Sequence, residues 1–478
     1  MAHDPVDSPH PFAEQATTAP TARTVGELRS SGHELRSLRQ ELRDNLLAAL
    51  REGRDPWPGM HGLQATVIPQ LERAILAGHD IVLLGERGQG KTRLLRSLVG
   101  LLDEWSPVLD GSELGEHPYQ PITVESRRRA DELGEDLPVT WRHRDERYAE
   151  KLATPDTSVG DLIGDVDPMR VAEGRRLGDP ETIHFGLIPR SHRGIVAVNE
   201  LPDLAERIQV AMLNVMEERD IQIRGYVLRL PLDVLVVASA NPEDYTNRGR
   251  IITPLKDRFG AEIRTHYPVE LIDEMAVIRQ EADLVAEVPD VLVEILARFT
   301  RGLRESSSVD QRSGVSARFS IAGAETVAAS ALHRATVRGE EDPVARLVDI
   351  DTAVDVLGGK VELEAGEEGR GEEILTHLLR LATVEAVREH LRGVDLAPLV
   401  TALEEGASVA TGERVTAAEM LQALPDLGDD GALYDRLAAA LDAESPGARA
   451  GAVELALEGL FLARKVGKES SAGATVYG

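Results

Sequence analysis

Residues 79–102 read HDIVLLGERGQGKTRLLRSLVGLL. The apolar run Ile81 to Leu84 has the look of a buried strand, the glycines at 85, 88 and 90 a turn, and the leucines from Leu94 onward a helix. Between strand and helix, Gly85 to Thr92 fits GxxxxGK[ST], and that setting is what gives the pattern physical meaning. Glycines let backbone N–H groups turn inward around an anion, and the start of the helix adds a favourable dipole. Lys91 is suited to neutralising phosphate charge and Thr92 to offering its hydroxyl to Mg²⁺. The plainer reading is a glycine-rich turn with an exposed lysine.

Downstream, GIVAVNELPDL at 194–204 is a second apolar strand that ends in Asn199 and Glu200. Glu200 would project from the carboxyl edge of a parallel sheet, where ligands sit in open α/β folds, and could orient a water. A third strand, VLVVASANPEDY, ends in Asn241, whose amide can bond both a water and a phosphate oxygen. PLKDRFG then supplies Arg258, whose planar fork suits phosphoryl oxygens. Each has a bland alternative, a solvated strand-end glutamate or a surface ion-pair arginine.

Eighty-two acidic against fifty-three basic residues give a net charge of −29, which argues against a general binder of nucleic acid or anionic membrane. The absence of cysteine excludes disulfides and thiolate metal sites. No run approaches the roughly 20 apolar residues needed to cross a bilayer, so the expectation is a soluble, cytoplasmic protein with no membrane partner.

Residues 1–25 are expected as a disordered tail. Residues 26–58 follow as a helical segment, with one helical spacing from Leu28 to Leu50 broken by GRDPWPGMHG. Residues 59–268 alternate apolar strands with helical stretches, which favours an α/β fold with a mostly parallel sheet. Residues 269–340 and 341–478 are read as helical, the latter acidic, with a frayed end in GKESSAGATVYG.

Taken together these segments resemble the AAA+ ATPases, in the branch of the magnesium-chelatase ATPase subunit and the MoxR proteins. GERGQGKT resembles the Walker A loop, GIVAVNEL the Walker B strand, ASANPED the sensor 1 strand and PLKDRFG the arginine-finger segment. TPDTSVGDLIGDVDP at 154–168 and GLIPRSHRGIVAVNELPDL at 186–204 resemble the chelatase subunit's stretch up to and through Walker B, and IQIRGYVLRLPLDV resembles the hairpin before sensor 1. GVSAR at 314–318 resembles the MoxR signature, which carries a sensor 2 role to Arg318.

The resemblance implies a three-layer αβα core, a helical lid at 269–340, and ATP with Mg²⁺ as cofactors. The nucleotide would be held by Gly85, Glu86, Arg87, Gly88, Gln89, Gly90, Lys91 and Thr92, with Glu200, Asn241, Arg258 and Arg318 as the catalytic set. It further implies a ring, expected to be a hexamer, in which Arg258 reaches the neighbour's nucleotide. The partner implied is a protein with a von Willebrand A domain, in a chaperone-like or metal-insertion role. An enhancer-binding activator that remodels RNA polymerase holoenzyme shares the core, but the chain has no GAFTGA loop and no basic recognition helix. Authentic magnesium chelatase also shares it, but lacks the acidic C-terminal third.

The chain departs from the family at Asn199, where an acid ordinarily precedes the glutamate. An amide oxygen can still meet a metal-bound water with less charge, so Thr92 and Asn199 are the expected metal-side residues and slow turnover is the expected result. His184 and His192 are read as polar loop histidines, EAGEEGRGEE as a solvated loop, and Met212 and Met216 as core.

Overall fold

The computed structural model describes residues 18–167, 169, 182–218, 221–223, 226–228, 230–241, 250–310, 314–367, 369–424, 432–471 and 474–478. The chain divides into two compact units, Met1–His266 and Tyr267–Gly478.

The first unit is organised by a five-stranded sheet. In chain order its strands are β1 (Ile81–Leu84), β2 (Tyr148–Leu152), β3 (Gly194–Asn199), β4 (Val234–Ala240) and β5 (Ala261–Arg264). They lie side by side as β5-β1-β4-β3-β2, and every neighbouring pair is parallel. Alternate residues feed opposite faces, as the two-residue period of a strand requires. Val82, Leu84, Val196, Val198, Val236 and Ala238 belong to one apolar core. Ile81, Leu83, Ile195, Ala197, Leu235 and Val237 belong to another. Helices cover both. On the second face lie α1 (Leu38–Glu52), α2 (Val67–Ala77) and α3 (Lys91–Ser97), through Leu42, Leu71 and Leu94. On the first face lie α4 (Glu206–Glu218) and α5 (Thr253–Arg258), through Met212, Met216 and Leu255. The expected three-layer α/β core with a parallel sheet is therefore present.

Three expectations are corrected here. Of the tail expected over residues 1–25, residues 1–17 lie outside the described residues, and the last few, which are described, are ordered. Ala22 O accepts from the Trp141 indole (2.9 Å), Arg23 O accepts from Val139 N–H (2.8 Å), and Val25 is buried. The single helix expected from Leu28 to Leu50 is two, Val25–Ser30 and α1. Gly32 takes a left-handed φ of 77°, and Ser37 opens α1 with a reciprocal capping box to Gln40, a stop and a start that the leucine spacing hides. The third correction concerns strands, because β2 and an antiparallel pair of Trp105–Leu109 with Val139–His143 were not anticipated.

The second unit is mostly helical. Its longer helices are α6 (Leu271–Glu281), α7 (Asp290–Glu305), α8 (Ala317–Arg338), α9 (Leu347–Leu357), α10 (Gly371–His390) and α11 (Pro446–Leu462). One apolar core takes in Leu296, Phe319, Val327, Ile350 and Leu379, so helices on both sides of residue 340 share it. The C-terminal stretch expected to fray instead supplies the central strand and one edge of a small sheet, Val409–Thr411, Ala474–Tyr477 and Lys468–Ser471 in that lateral order. Tyr477 is buried and its hydroxyl donates to Glu458 Oε2, an anchor that outweighs the glycine and serine content around it. The acidic run ends by opening α10, with Glu372 and Glu373 in its first turn, where helix polarity favours negative charge. Among the described residues, no helix is long and apolar enough to cross a membrane.

Candidate nucleotide site

The site is built on the carboxyl ends of three adjacent strands, β1, β4 and β3. Gly85 follows β1 directly and its N–H donates to Ala240 O at the end of β4 (3.2 Å). No side chain fits at this position. A Cβ there would stand 1.9 Å from Thr265 Oγ1 and 2.3 Å from Gln89 Oε1. Those two atoms are themselves bonded (2.8 Å), and Gln89 Oε1 also accepts from Glu86 N–H (3.1 Å). The loop thus closes on itself and is pinned to the residue after β5, whose N–H donates to Leu84 O (2.7 Å). Gly88 and Gly90 hold φ of 77° and 73°, the left-handed geometry that lets the loop turn into α3. Arg87 is exposed, and Glu86 and Thr92 are half-buried.

Lys91 is buried at the first turn of α3. Its ammonium donates to Gly85 O (2.5 Å), Glu86 O (2.8 Å) and Asn241 Oδ1 (2.8 Å). The Asn241 amide uses its other end as well, since Nδ2 donates to Glu200 Oε2 (2.7 Å). Asn241 therefore joins the loop cation to the strand-end carboxylate. Glu200 occupies a left-handed backbone conformation (φ 55°), uncommon outside glycine, which turns the chain sharply off β3. Its N–H donates to Ser239 Oγ (3.3 Å), and Ser239 Oγ in turn donates to Asn199 Oδ1 (3.1 Å). The Asn199 amide Nδ2 donates to Glu150 Oε1 on β2 (2.6 Å).

Of the residues singled out from sequence, Lys91, Asn241 and Glu200 are thus joined by side-chain bonds, and Asn199 is tied through Ser239 to the backbone N–H of Glu200. Arg258, at the end of α5, is half-exposed and paired with Glu217 on α4. Arg318 belongs to the second unit, exposed in the first turn of α8 behind the Ser316 cap. Sequence reasoning did not select Thr265, Gln89 as a brace, Ser239 or Glu150. Their partners lie 176, 39 and 49 positions away, beyond any local spacing signal.

A cleft of about 400 Å³ adjoins the loop, lined by Leu84, Gly85, Gln89, Lys256 and Thr265 among others, within the size range of small-ligand sites. The donor set fits a Mg²⁺-bound nucleotide. Left-handed glycines and a buried ammonium are matched to phosphate oxygens, while a threonine hydroxyl, a carboxylate and amide oxygens are the hard donors that Mg²⁺ takes. Among the described residues no cluster of histidine and carboxylate groups forms a separate metal site. His184 is exposed, whereas His192 is buried and its Nδ1 accepts from Asp233 N–H (3.1 Å).

No protein-family model matches the chain. The chain is 28% identical over 209 residues to magnesium-chelatase subunit ChlI of Guillardia theta, covering 42% of this chain and 55% of that one. It is 25% identical over 215 residues to the ChlI subunit of Anabaena variabilis, covering 44% and 60%, and 29% identical over 189 residues to the chloroplastic ChlI-1 of Arabidopsis thaliana, covering 38% and 40%. The chain therefore spans about half the length of these curated relatives. Among solved structures it is similar to a putative ATPase from Cytophaga hutchinsonii, at 17% identity and a TM-score of 0.31 over 74% of this chain and 98% of that one. It is also similar to a chain of the complex between subunits BchI and BchD of magnesium chelatase, at 19% identity and a TM-score of 0.35 over 67% and 98%. The lateral strand order, the loop after the first strand and the run of ChlI relatives agree with one another, and together they support an AAA+ ATPase of the branch that holds the magnesium-chelatase subunit ChlI.

Proposed function

We propose that the chain is a Mg²⁺-dependent ATPase that works as a ring, expected to be a hexamer, and couples ATP hydrolysis to the remodelling of a partner protein. The observation that carries this reading is the continuous link from Lys91 through Asn241 to Glu200, at 2.8 and 2.7 Å, on three neighbouring strand ends. Such a link lets one buried asparagine sense the phosphate and the catalytic carboxylate together. Lys91 and the loop from Gly85 to Thr92 hold the phosphates. Glu200 orients a water for attack, and Asn241 holds that carboxylate in register with Lys91. Mg²⁺, when bound, supplies charge neutralisation across the phosphate oxygens, with the Thr92 hydroxyl and Asn199 on its side of the site.

Arg258 is half-exposed at the end of α5 and exchanges Glu217 for the nucleotide of an adjacent subunit, while Arg318 is the sensor 2 arginine of a lid spanning 269–340. The partner proposed is a protein with a von Willebrand A domain, in a chaperone-like role or coupled to metal insertion; the relatives named for magnesium chelatase support the second version.

Calorimetry and phosphate release test this on the full chain. Lys91→Ala is expected to abolish uptake of ATP, and Glu200→Gln to retain uptake while losing at least about 100-fold in turnover, because only the water-orienting group is gone. No uptake of adenine nucleotide by the unaltered chain would overturn the reading. The Glu200→Gln chain, loaded with ATP, is the bait for the partner, and recovery of a von Willebrand A protein is the expected result.

A further inference from the structure

The residue before the catalytic glutamate is an amide, so β3 brings one negative charge fewer to the metal side of the site than the family's pattern. The tertiary structure shows where a replacement stands. Glu150 lies on β2, the neighbouring parallel strand, in the register that pairs it with Ala197 and pairs Leu152 with Asn199. Residues two apart on a strand share a face, so Glu150 and Asn199 project to the same side as Ile195 and Ala197. That is the side covered by α3 through Leu94 and Leu95, the helix that opens with Lys91 and Thr92.

Glu150 is held there from three directions. Its Oε1 accepts from Asn199 Nδ2 (2.6 Å) and Arg96 Nη2 (3.1 Å). Its Oε2 accepts from Arg96 Nε (2.8 Å) and the Tyr148 hydroxyl (3.2 Å). Arg96 sits four residues beyond Thr92, one turn along the same face of α3. A single chain of hydrogen bonds therefore runs from α3 through Arg96, Glu150, Asn199 and Ser239 to the backbone N–H of Glu200. Had residue 199 been an aspartate, its carboxylate would have met that of Glu150 at hydrogen-bond distance, and two like charges there repel. The asparagine is what permits the acid on β2.

We propose that Glu150 is a positioning residue that returns to the metal side of the nucleotide site the carboxylate that β3 lacks, acting through the Asn199 amide. The inference rests on the nucleotide reading above and assigns the metal-side carboxylate to a residue of a different strand, whose charge is shared between the Asn199 amide and the Arg96 guanidinium. Asn199 is then a coupler, its carbonyl oxygen kept in place by Ser239 and its amide polarised by Glu150.

The test measures Mg²⁺ dependence of binding rather than turnover. Full-length chain is titrated with ADP by calorimetry in EDTA and at stepped Mg²⁺ concentrations, for the unaltered protein, Glu150→Gln, and the double variant Glu150→Gln with Asn199→Asp. Glutamine keeps an acceptor for Asn199 and Arg96, so the fold is expected to hold, with a thermal melt as control. Hydrogen-bond partners that orient the groups around a metal change its affinity about tenfold or more when lost. Glu150→Gln is therefore expected to raise the Mg²⁺ concentration for half-maximal effect about tenfold with metal-free ADP affinity unchanged. The double variant, which moves the acid back to β3, is expected to restore the Mg²⁺ requirement. An unchanged Mg²⁺ titration in Glu150→Gln, or no recovery in the double variant, overturns the inference and leaves the nucleotide reading standing. Failure of the unaltered chain to take up ADP under either condition overturns both.

Discussion

Lowering the pH from 7 to 5 is expected to weaken the first unit and strengthen the second. In the first unit His117 and His192 are both buried. Burial, reinforced by the Arg193 guanidinium, pushes His117 from its ordinary 6.5 down to about 2 and His192 down to about 3. Arg147 bears on both, Arg142 faces His192, and His33 donates to or accepts from His117 at 3.0 Å and is itself lowered by burial. Each histidine stays neutral in the fold across this range but takes up a proton in the unfolded chain below 6.5. The unfolded state then binds more protons, so stability falls as pH falls. At about 1.4 kcal/mol per unit of displaced titration, each histidine costs about 2 kcal/mol between pH 7 and 5, and the pair about 4 kcal/mol.

The second unit carries the opposite device. Burial raises Glu454 to about 7, against the opposing pull of Arg346, and Asp351 to about 6, against Lys468. These carboxyls bind protons more readily folded than unfolded, so the second unit gains stability, about 3 kcal/mol, as pH falls over the same interval. The chain's three tryptophans, Trp57, Trp105 and Trp141, all lie in the first unit, so urea titrations followed by tryptophan fluorescence report that unit alone. The expected result is a loss of about 4 kcal/mol from pH 7 to 5, halved in His192→Asn, which keeps an acceptor for Asp233 N–H without titrating. Hydrogen exchange along α11, corrected for intrinsic rates, is expected to slow over the same range. A first unit whose stability is flat or rises on acidification, or a slope untouched in His192→Asn, would refute the reasoning.

Other substitutions follow from single contacts. Gly85→Ala drives a methyl group into Thr265 Oγ1 and Gln89 Oε1, so the loop must open, and ATP uptake measured by calorimetry is expected to be lost while the thermal melt changes little. Arg147 is buried between Glu41, which takes two hydrogen bonds from it at 2.6 and 2.8 Å, and Arg193 O. Arg147→Met leaves that glutamate charged and buried, with an expected loss of about 3–5 kcal/mol in the tryptophan-detected urea titration. Tyr477→Phe removes the hydroxyl that donates to Glu458, which Lys468 also engages at 2.7 Å, and is expected to cost the second unit about 1–2 kcal/mol by hydrogen exchange at α11.

The amino-acid sequence by itself determined the strands that run through the middle of the sheet and the loop that follows the first. Central parallel strands are covered on both faces, so β1, β3 and β4 are continuous apolar runs, and a glycine pattern between strand and helix has few other meanings. The places of Glu200 and Asn241 were legible because each directly follows such a run, and that of Lys91 because it closes the glycine pattern at the start of α3. Tertiary structure alone decided the rest. β2 is an edge strand with half-exposed, charged residues, so YAEKL carries no apolar signal, yet it delivers Glu150 to Asn199 across 49 positions. The brace of Gln89 on Thr265, the burial of His192 and the anchoring of Tyr477 are likewise contacts between segments far apart in the chain. Periodicity and turn chemistry act over a few residues and leave a mark on local sequence. A hydrogen bond closed by the lateral order of strands depends on which segments become neighbours, and no local pattern records that.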